Sequence, residues 1–294
     1  MTYEDARTAF EAILEAERTD KRVDPRCYSQ LLDRGARAER AIAFYHGFTN
    51  CPRQFIAIGQ RFFDAGFNVY IPRLPGHGMA DKMTTALKGV TRDDLTAAAA
   101  AAAQLTAGLG ARAHVAGISL GGVLAAWVGE QTPIAGATAI APFMGIKGVL
   151  GPLNTVVAIA LDVLPDFFMW WDPRVRANNP ATPPYAYARY TSRIIAAQLN
   201  IGSELSRRAK RQAPKALASA LFANQHDPAV NNSVAARLYR RWQERGANVL
   251  QEWFDGPRVH DIIDNFTGRL PVDTIYSAIL DLVERADALG KVDA

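Results

Sequence analysis

The 294-residue chain has only two cysteines, Cys27 and Cys51, and no Cys-x-x-Cys pair. That excludes a cysteine-built zinc or dithiol redox motif. Two unpaired thiols are the simpler expectation and a disulfide is the alternative, because nothing in the sequence fixes the distance between them. The chain also has little excess charge. Its 33 basic residues outnumber 29 acidic ones, leaving a formal charge of +4 spread along the sequence. A nucleic-acid binder would show a dense basic stripe or a known module, so no nucleic-acid partner is expected. The densest basic run is Arg207, Arg208, Lys210, Arg211 and Lys215. It reads first as a solvated helix face and second as an anion or membrane-surface patch. Long apolar runs are missing as well. The most apolar stretch, residues 148–171, is broken by Pro152, Asn154, Asp162, Pro165 and Asp166. A membrane-spanning helix needs about 20 apolar residues, so this stretch is expected to be a packed helix and turn, with no stable membrane insertion. The first residues, Met1-Thr2-Tyr3-Glu4-Asp5, are polar and acidic where a secretion signal is basic and then apolar. That suggests a cytoplasmic location. No metal or cofactor motif is found.

With 49% hydrophobic and 21% charged residues, the chain has ordinary globular proportions. Short continuous apolar runs, such as Ala41–Tyr45 and Phe67–Ile71, suit strands buried on both faces of a parallel sheet. Between these two lies a stretch from Gln54 to Ala65 with apolar residues at helical spacing, stopped by Gly66. The alternation continues with an Ala-rich helix at 93–108, a strand at 113–116, a helix at 123–129 and a strand at 134–141. It breaks over residues 144–214, which look helical and Pro-rich, and resumes with a strand at 217–222, a helix at 233–245, a strand at 248–254 and a closing helix after Pro271. Alternating β and α segments predict an α/β fold whose mostly parallel sheet is covered by helices. The interruption predicts an inserted helical cap. The expected organisation is a core of residues 1–143 and 215–294 with a cap at 144–214.

The strongest motif is Gly117-Ile118-Ser119-Leu120-Gly121, followed by Gly122. By composition such a pentapeptide turns up in about one chain in ten or twenty, so its weight comes from its setting. An apolar strand precedes it and an Ala-rich helix follows. A serine on a tight strand-to-helix turn, flanked by glycines that allow close backbone packing, is an exposed nucleophile on a rigid support. Acyl transfer also needs N–H groups aimed at the developing oxyanion. Leu120 is the expected first donor. The loop after Ala41–Tyr45, His46-Gly47-Phe48-Thr49, is expected to supply the second through Phe48. His46 reads as structural.

A serine nucleophile needs a base, and the base needs an orienting carboxylate. Of five histidines only His226 and His260 follow Ser119. His260 lies in a loop after the last strand, and Asp227 lies after the strand at 217–222. Ligands collect at such strand ends. His226 adjoins Asp227 on one turn and reads as a neighbour. Asp255, Asp261 and Asp264 compete as the acid, but chain order and strand position favour Asp227.

His46-Gly47-Phe48-Thr49, Leu74-Pro75-Gly76-His77-Gly78, Gly117–Gly122, Asp227 and His260 together resemble the α/β-hydrolase superfamily, in particular bacterial carboxylesterases, monoacylglycerol lipases and lysophospholipases. The resemblance covers about residues 38–290. It implies an α/β-hydrolase fold, a small-molecule or lipid-like ester substrate, a structural turn at Gly76-His77-Gly78, and no cofactor or metal. A thioesterase, acyltransferase or perhydrolase would use the same residues. A binding module on this fold would commonly have lost a triad member, and here all three are present. The cap segment is rich in large apolar side chains, among them Phe143, Phe167, Trp170, Trp171, Tyr185 and Tyr190. Each reads first as packing, and together they suit an acyl-binding wall.

Overall fold

Residues 1–180 and 182–292 are described by the structure, a computed structural model. An N-terminal helix α1 (Tyr3–Thr19) precedes a short strand β1 (Gln30–Leu32). The alternating core follows: β2 (Ala38–Tyr45), α2 (Ile56–Asp64), β3 (Phe67–Ile71), α3 (Arg92–Leu109), β4 (Gly110–Ile118), α4 (Leu120–Gln131) and β5 (Gly136–Ile140). Between β5 and the next core strand lie α5 (Gly151–Val163), β6 (Phe168–Trp170), β7 (Arg189–Thr191) and α6 (Ser192–Arg208). The core resumes with β8 (Ala218–Asn224), α7 (Asn232–Gln243), β9 (Val249–Phe254) and α8 (Val272–Val292).

Seven strands form one sheet in the order β1-β3-β2-β4-β5-β8-β9. Every pairing is parallel except that of β1, which lies antiparallel along β3. The chain therefore has the mostly parallel, helix-covered sheet that the alternation predicts. Successive side chains of a strand point to opposite faces, and both faces are buried. Ile42 and Phe44 pack with Phe55, Ile58, Phe62, Ile275 and Ile279 on the side of α2 and α8. Ala41, Ala43 and Tyr45 pack on the other side, with Leu95, Leu124, Tyr239 and Trp242. This two-sided burial explains why the strands read as continuous apolar runs. The Ala-rich α3 starts on a capping box, with Thr91 and Asp94 each bonding the other's backbone N–H.

Register brings the strand ends into line. Tyr45 is opposite Gly117, Ile118 opposite Ile140, and Ile140 opposite Phe222. The loops after β2, β4 and β8 thus leave the sheet at one edge.

The inserted segment departs from the sequence expectation in two ways. It carries a two-stranded antiparallel ribbon, β6 with β7. Three-residue, partly buried strands are too short to display a period of two. In addition, the 148–171 stretch packs along one side only. The inner face of α5 is made of Asn154, Val157, Ala158 and Leu161, whereas Leu153, Val156, Ile159 and Val163 are exposed.

The expectation of two free thiols is not met: Cys27 and Cys51 form a disulfide, with Cα atoms 5.4 Å apart. The loop after β2 folds back onto the segment before β1, an approach across a sequence separation of 24 that the sequence does not encode. Tyr185 covers the pair. Closing a loop of this length stabilises a fold by about 3 kcal/mol in the chain-entropy account. Thiol titration of the denatured, unreduced protein is expected to find no free thiol, and reduction is expected to release both and lower the melting temperature.

Candidate active site

Ser119 joins β4 to α4 with φ 56° and ψ −115°, a backbone conformation that L-residues rarely adopt. The turn closes because its flanks are glycine. A Cβ at Gly121 would collide with the Tyr45 carbonyl, and one at Gly117 with the backbone of Gly121. The amide of Ser119 donates to Ile140 O at 3.0 Å, and its carbonyl accepts from Phe143 N at 3.2 Å. The nucleophile candidate is therefore pinned from both sides, and its residue is 7% exposed.

Asp227 is fully buried in the loop after β8. Its Oδ1 accepts from the amides of Ala229 and Val230 at 2.8 and 3.1 Å, and its Oδ2 lies 2.7 Å from His260 Nδ1. Lys147, on the chain leaving β5, donates to the Asp227 carbonyl at 2.7 Å. The competing acids have other partners. Asp255 pairs with His226 at 2.8 Å on the surface, Asp261 accepts from Gln54, and Asp264 accepts from Tyr185 at 2.6 Å. Of the four acids considered, the structure brings only Asp227 into hydrogen-bond contact with His260. No hydrogen bond joins Ser119 to His260 among the described residues. Catalytic hydrogen bonds are often unformed before substrate binds.

Phe48 and Leu120 are buried, and no hydrogen bond to either amide N–H is found among the described residues. His46 is fully buried beneath this loop. Its Nε2 accepts from Leu74 N at 3.1 Å, which leaves Nδ1–H to donate to Gly47 O at 2.9 Å. Burial holds its pKa well below the usual histidine range. His77 is likewise buried, pushed down to about 4 by desolvation, and sits between Gly76 and Gly78, both at positive φ. Both rings serve structure.

The inserted segment rests on the same loop. Trp171 Nε1 donates to Thr49 Oγ1 at 2.9 Å, and the rings of Trp171 and Tyr190 stand 5.7 and 5.0 Å from Phe48. An apolar wall therefore adjoins the candidate oxyanion donors. The ≈ 670 Å³ cleft lined by Lys147, Gln225, Asn231, Asn232 and Trp253 lies beside the acid's loop and does not include Ser119. Among the described residues no three His, Cys, Asp or Glu side chains gather to hold a metal ion.

One feature that sequence reading missed is the carboxylate pair beside His260. Burial pushes the Asp264 carboxyl up to about 6, and the Asp261 charge adds to the shift. A carboxyl raised on folding keeps its proton longer in the folded state. Its stabilising contribution is complete below the unfolded pKa and is lost as pH rises through the folded one. The Asp264→Asn variant is therefore expected to gain melting temperature relative to the wild type as pH is raised from about 4 to about 7. Parallel thermal melts across that range check it.

Residues 42–282 match the model of the alpha/beta hydrolase family, and the chain belongs to that family. No curated protein sequence matches it. Among solved structures it is similar to a metagenome-derived lipolytic enzyme, at 20% identity and TM-score 0.67 over 90% of this chain and 99% of the other. It is also similar to the monoacylglycerol lipase of Paleococcus ferrophilus, at 16% identity and TM-score 0.66 over 89% and 98%. A soluble variant of the Saccharomyces cerevisiae monoglyceride lipase follows at 12% identity and TM-score 0.65 over 88% and 91%. At these identities the likeness is one of fold.

Proposed function

We propose that the chain is a serine-dependent carboxylic ester hydrolase working through an acyl-enzyme. The observation that carries this reading is the convergence on one sheet edge of a strained Ser119 turn, the Asp227–His260 pair and two unpartnered N–H groups. His260 Nε2 takes the proton as Ser119 Oγ attacks the ester carbonyl, and Asp227 holds the opposite ring nitrogen protonated. The amides of Phe48 and Leu120 donate to the oxyanion of the tetrahedral intermediate. The alkoxide leaves with the proton from His260. Water, activated by the same ring, then releases the acid. A thioesterase or acyltransferase would use the same groups with a different leaving group or acceptor. No helix is long and apolar enough to cross a membrane among the described residues. The Cys27–Cys51 bond favours an oxidising compartment over the cytoplasm suggested by the N-terminal sequence.

The inserted segment, residues 144–214, acts as a cap whose Trp171 and Tyr190, with Phe48 below them, line the acyl site. Each buried methylene contributes about 0.8 kcal/mol, so medium chains should outperform acetate. The test is a panel of p-nitrophenyl esters. Butyrate and hexanoate are expected to exceed acetate in kcat/KM by roughly fourfold for each methylene accommodated. A flat profile would remove the acyl-wall assignment, and absence of hydrolysis across the panel would remove the ester reading.

A further inference from the structure

We infer that the exposed face of α5, together with the cationic cleft at its first turn, docks the protein onto an anionic lipid bilayer. Helix α5 is apolar on its outward face as well as on its inward one. Its inward positions are Asn154 and Ala158, at 2% and 0% exposure, with Val157 and Leu161 partly buried against the core, while Val156, Ile159 and Val163 are 60%, 57% and 80% exposed. These outward residues, with Leu153, repeat every three or four positions and so share one face. Leu150, Leu164 and Phe167 extend the patch beyond the helix ends. Helix α5 carries no Lys or Arg, and Asp162 is its single charged residue. An apolar face of about 20 Å is the kind of surface that marks an interaction site. The adjoining charge identifies the occupant. Gly151, Pro152, Asn154 and Thr155 of α5 form one wall of a ≈ 540 Å³ cleft whose other walls carry Arg92, Arg207, Lys210, Arg237 and Arg241. Glu204 is the acidic residue of this lining, and it pairs with Arg92 and Arg208. Arg207, Lys210 and Arg237 have no ion-pair partner among the described residues. An apolar helix face flanked by basic side chains suits a bilayer with acidic headgroups. A symmetric dimer through the same patch would bring these like charges together.

The test uses the full chain with vesicles of phosphatidylcholine alone and of phosphatidylcholine mixed with phosphatidylglycerol. Co-sedimentation is expected with the mixed vesicles and to weaken as salt is raised. The triple variant Leu153→Ser/Val156→Ser/Ile159→Ser and the triple variant Arg207→Gln/Lys210→Gln/Arg237→Gln should each bind at least about tenfold less tightly. Hydrolysis of soluble p-nitrophenyl butyrate should stay unchanged in both. Equal binding to the two vesicle types, no binding, or a solution dimer that the apolar variant abolishes would overturn the inference.

A different observation assigns a second role. We propose that Gln54 is a positioning residue that locks the oxyanion loop to the loop carrying the base; this rests on the hydrolase reading above. Gln54 is 4% exposed. Its Oε1 accepts from Gly47 N at 2.6 Å, one residue before Phe48, and its Nε2 donates to Asp261 Oδ2 at 2.7 Å, one residue after His260. The second carboxylate oxygen of Asp261 accepts from Ile263 N and Asp264 N, each at 3.0 Å, which fixes the carboxylate. Asn50 Nδ2 approaches Asp261 Oδ2 at 3.4 Å. Position 47 is glycine where a Cβ would stand 3.3 Å from the Gln54 amide. One carboxamide thus spans the two halves of the site.

The Gln54→Glu variant keeps an acceptor for Gly47 and loses the donor to Asp261 until one of the two facing carboxyls, which His260 and Asp264 also neighbour, takes up a proton. Its kcat on p-nitrophenyl butyrate is expected to fall about tenfold at neutral pH with KM little changed, and to recover relative to the wild type as pH falls. Gln54→Met, which has no group to protonate, should lose kcat without that recovery. A parallel pH profile for Gln54→Glu and the wild type, or unchanged kcat in both variants, overturns the role. If the wild type itself is inactive on the ester, it is the hydrolase reading that fails.

Discussion

Ser119→Ala is expected to fold like the wild type and to lose nearly all ester hydrolysis, with kcat reduced about 10⁴-fold or more. Alanine keeps the Cβ and the backbone conformation at φ 56°, so the glycine contacts at Gly117 and Gly121 and the Ser119 N to Ile140 O bond all survive. What disappears is the single atom that attacks. The Phe48 and Leu120 amides and the aromatic wall remain, so a residual rate over water should persist from binding and oxyanion stabilisation. Matched thermal melts and ester kinetics check both halves of the statement. Labelling by a fluorophosphonate probe in the wild type and its loss in the variant would identify the nucleophile independently. Retention of a tenth of the turnover would remove Ser119 from the mechanism.

The route to Ser119 was short because its setting is local. A buried strand, a Gly-flanked serine and a helix are contiguous in sequence, and the same holds for the apolar runs that became β2, β3 and β5. The Asp227–His260 contact is legible by a different route, through chain order and the ends of β8 and β9, because a parallel sheet aligns all its strand ends at one edge. The residues that remained hidden depend on distant approaches. Cys27 and Cys51 meet only after the loop behind β2 folds back. Gln54 reads as one more polar residue at the start of an amphipathic helix. Its burial between Gly47 and Asp261 brings together positions 207 apart. The outward apolar face of α5 is hidden for the opposite reason. Apolar periodicity marks a face that avoids water, but it does not say whether this chain or something else covers it.

Asp227→Asn should reduce kcat by roughly 10²–10⁴-fold, and the hydrogen bonds around it explain why the effect should be so large. The two amides of Ala229 and Val230 point at Oδ1, so the asparagine must place its carbonyl oxygen there. Its NH₂ group then faces His260 Nδ1, where Asp227 Oδ2 stood 2.7 Å away. A donor in that position selects the tautomer with a bare Nδ1 and a protonated Nε2. The nitrogen that must accept the serine proton then already carries one. The variant should therefore bind substrate normally and fail at the chemical step, with KM little changed. Asp255→Asn is the control, because the exposed Asp255–His226 pair lies on the surface and makes no contact with His260. Asp261→Asn should fall between the two. It leaves the imidazole tautomer alone and disturbs the Gln54 bridge and the Asn50 contact, so a loss of about tenfold is expected. If Asp255→Asn or Asp261→Asn proves more damaging than Asp227→Asn, the orienting acid is a different residue and the proton path through His260 must be redrawn.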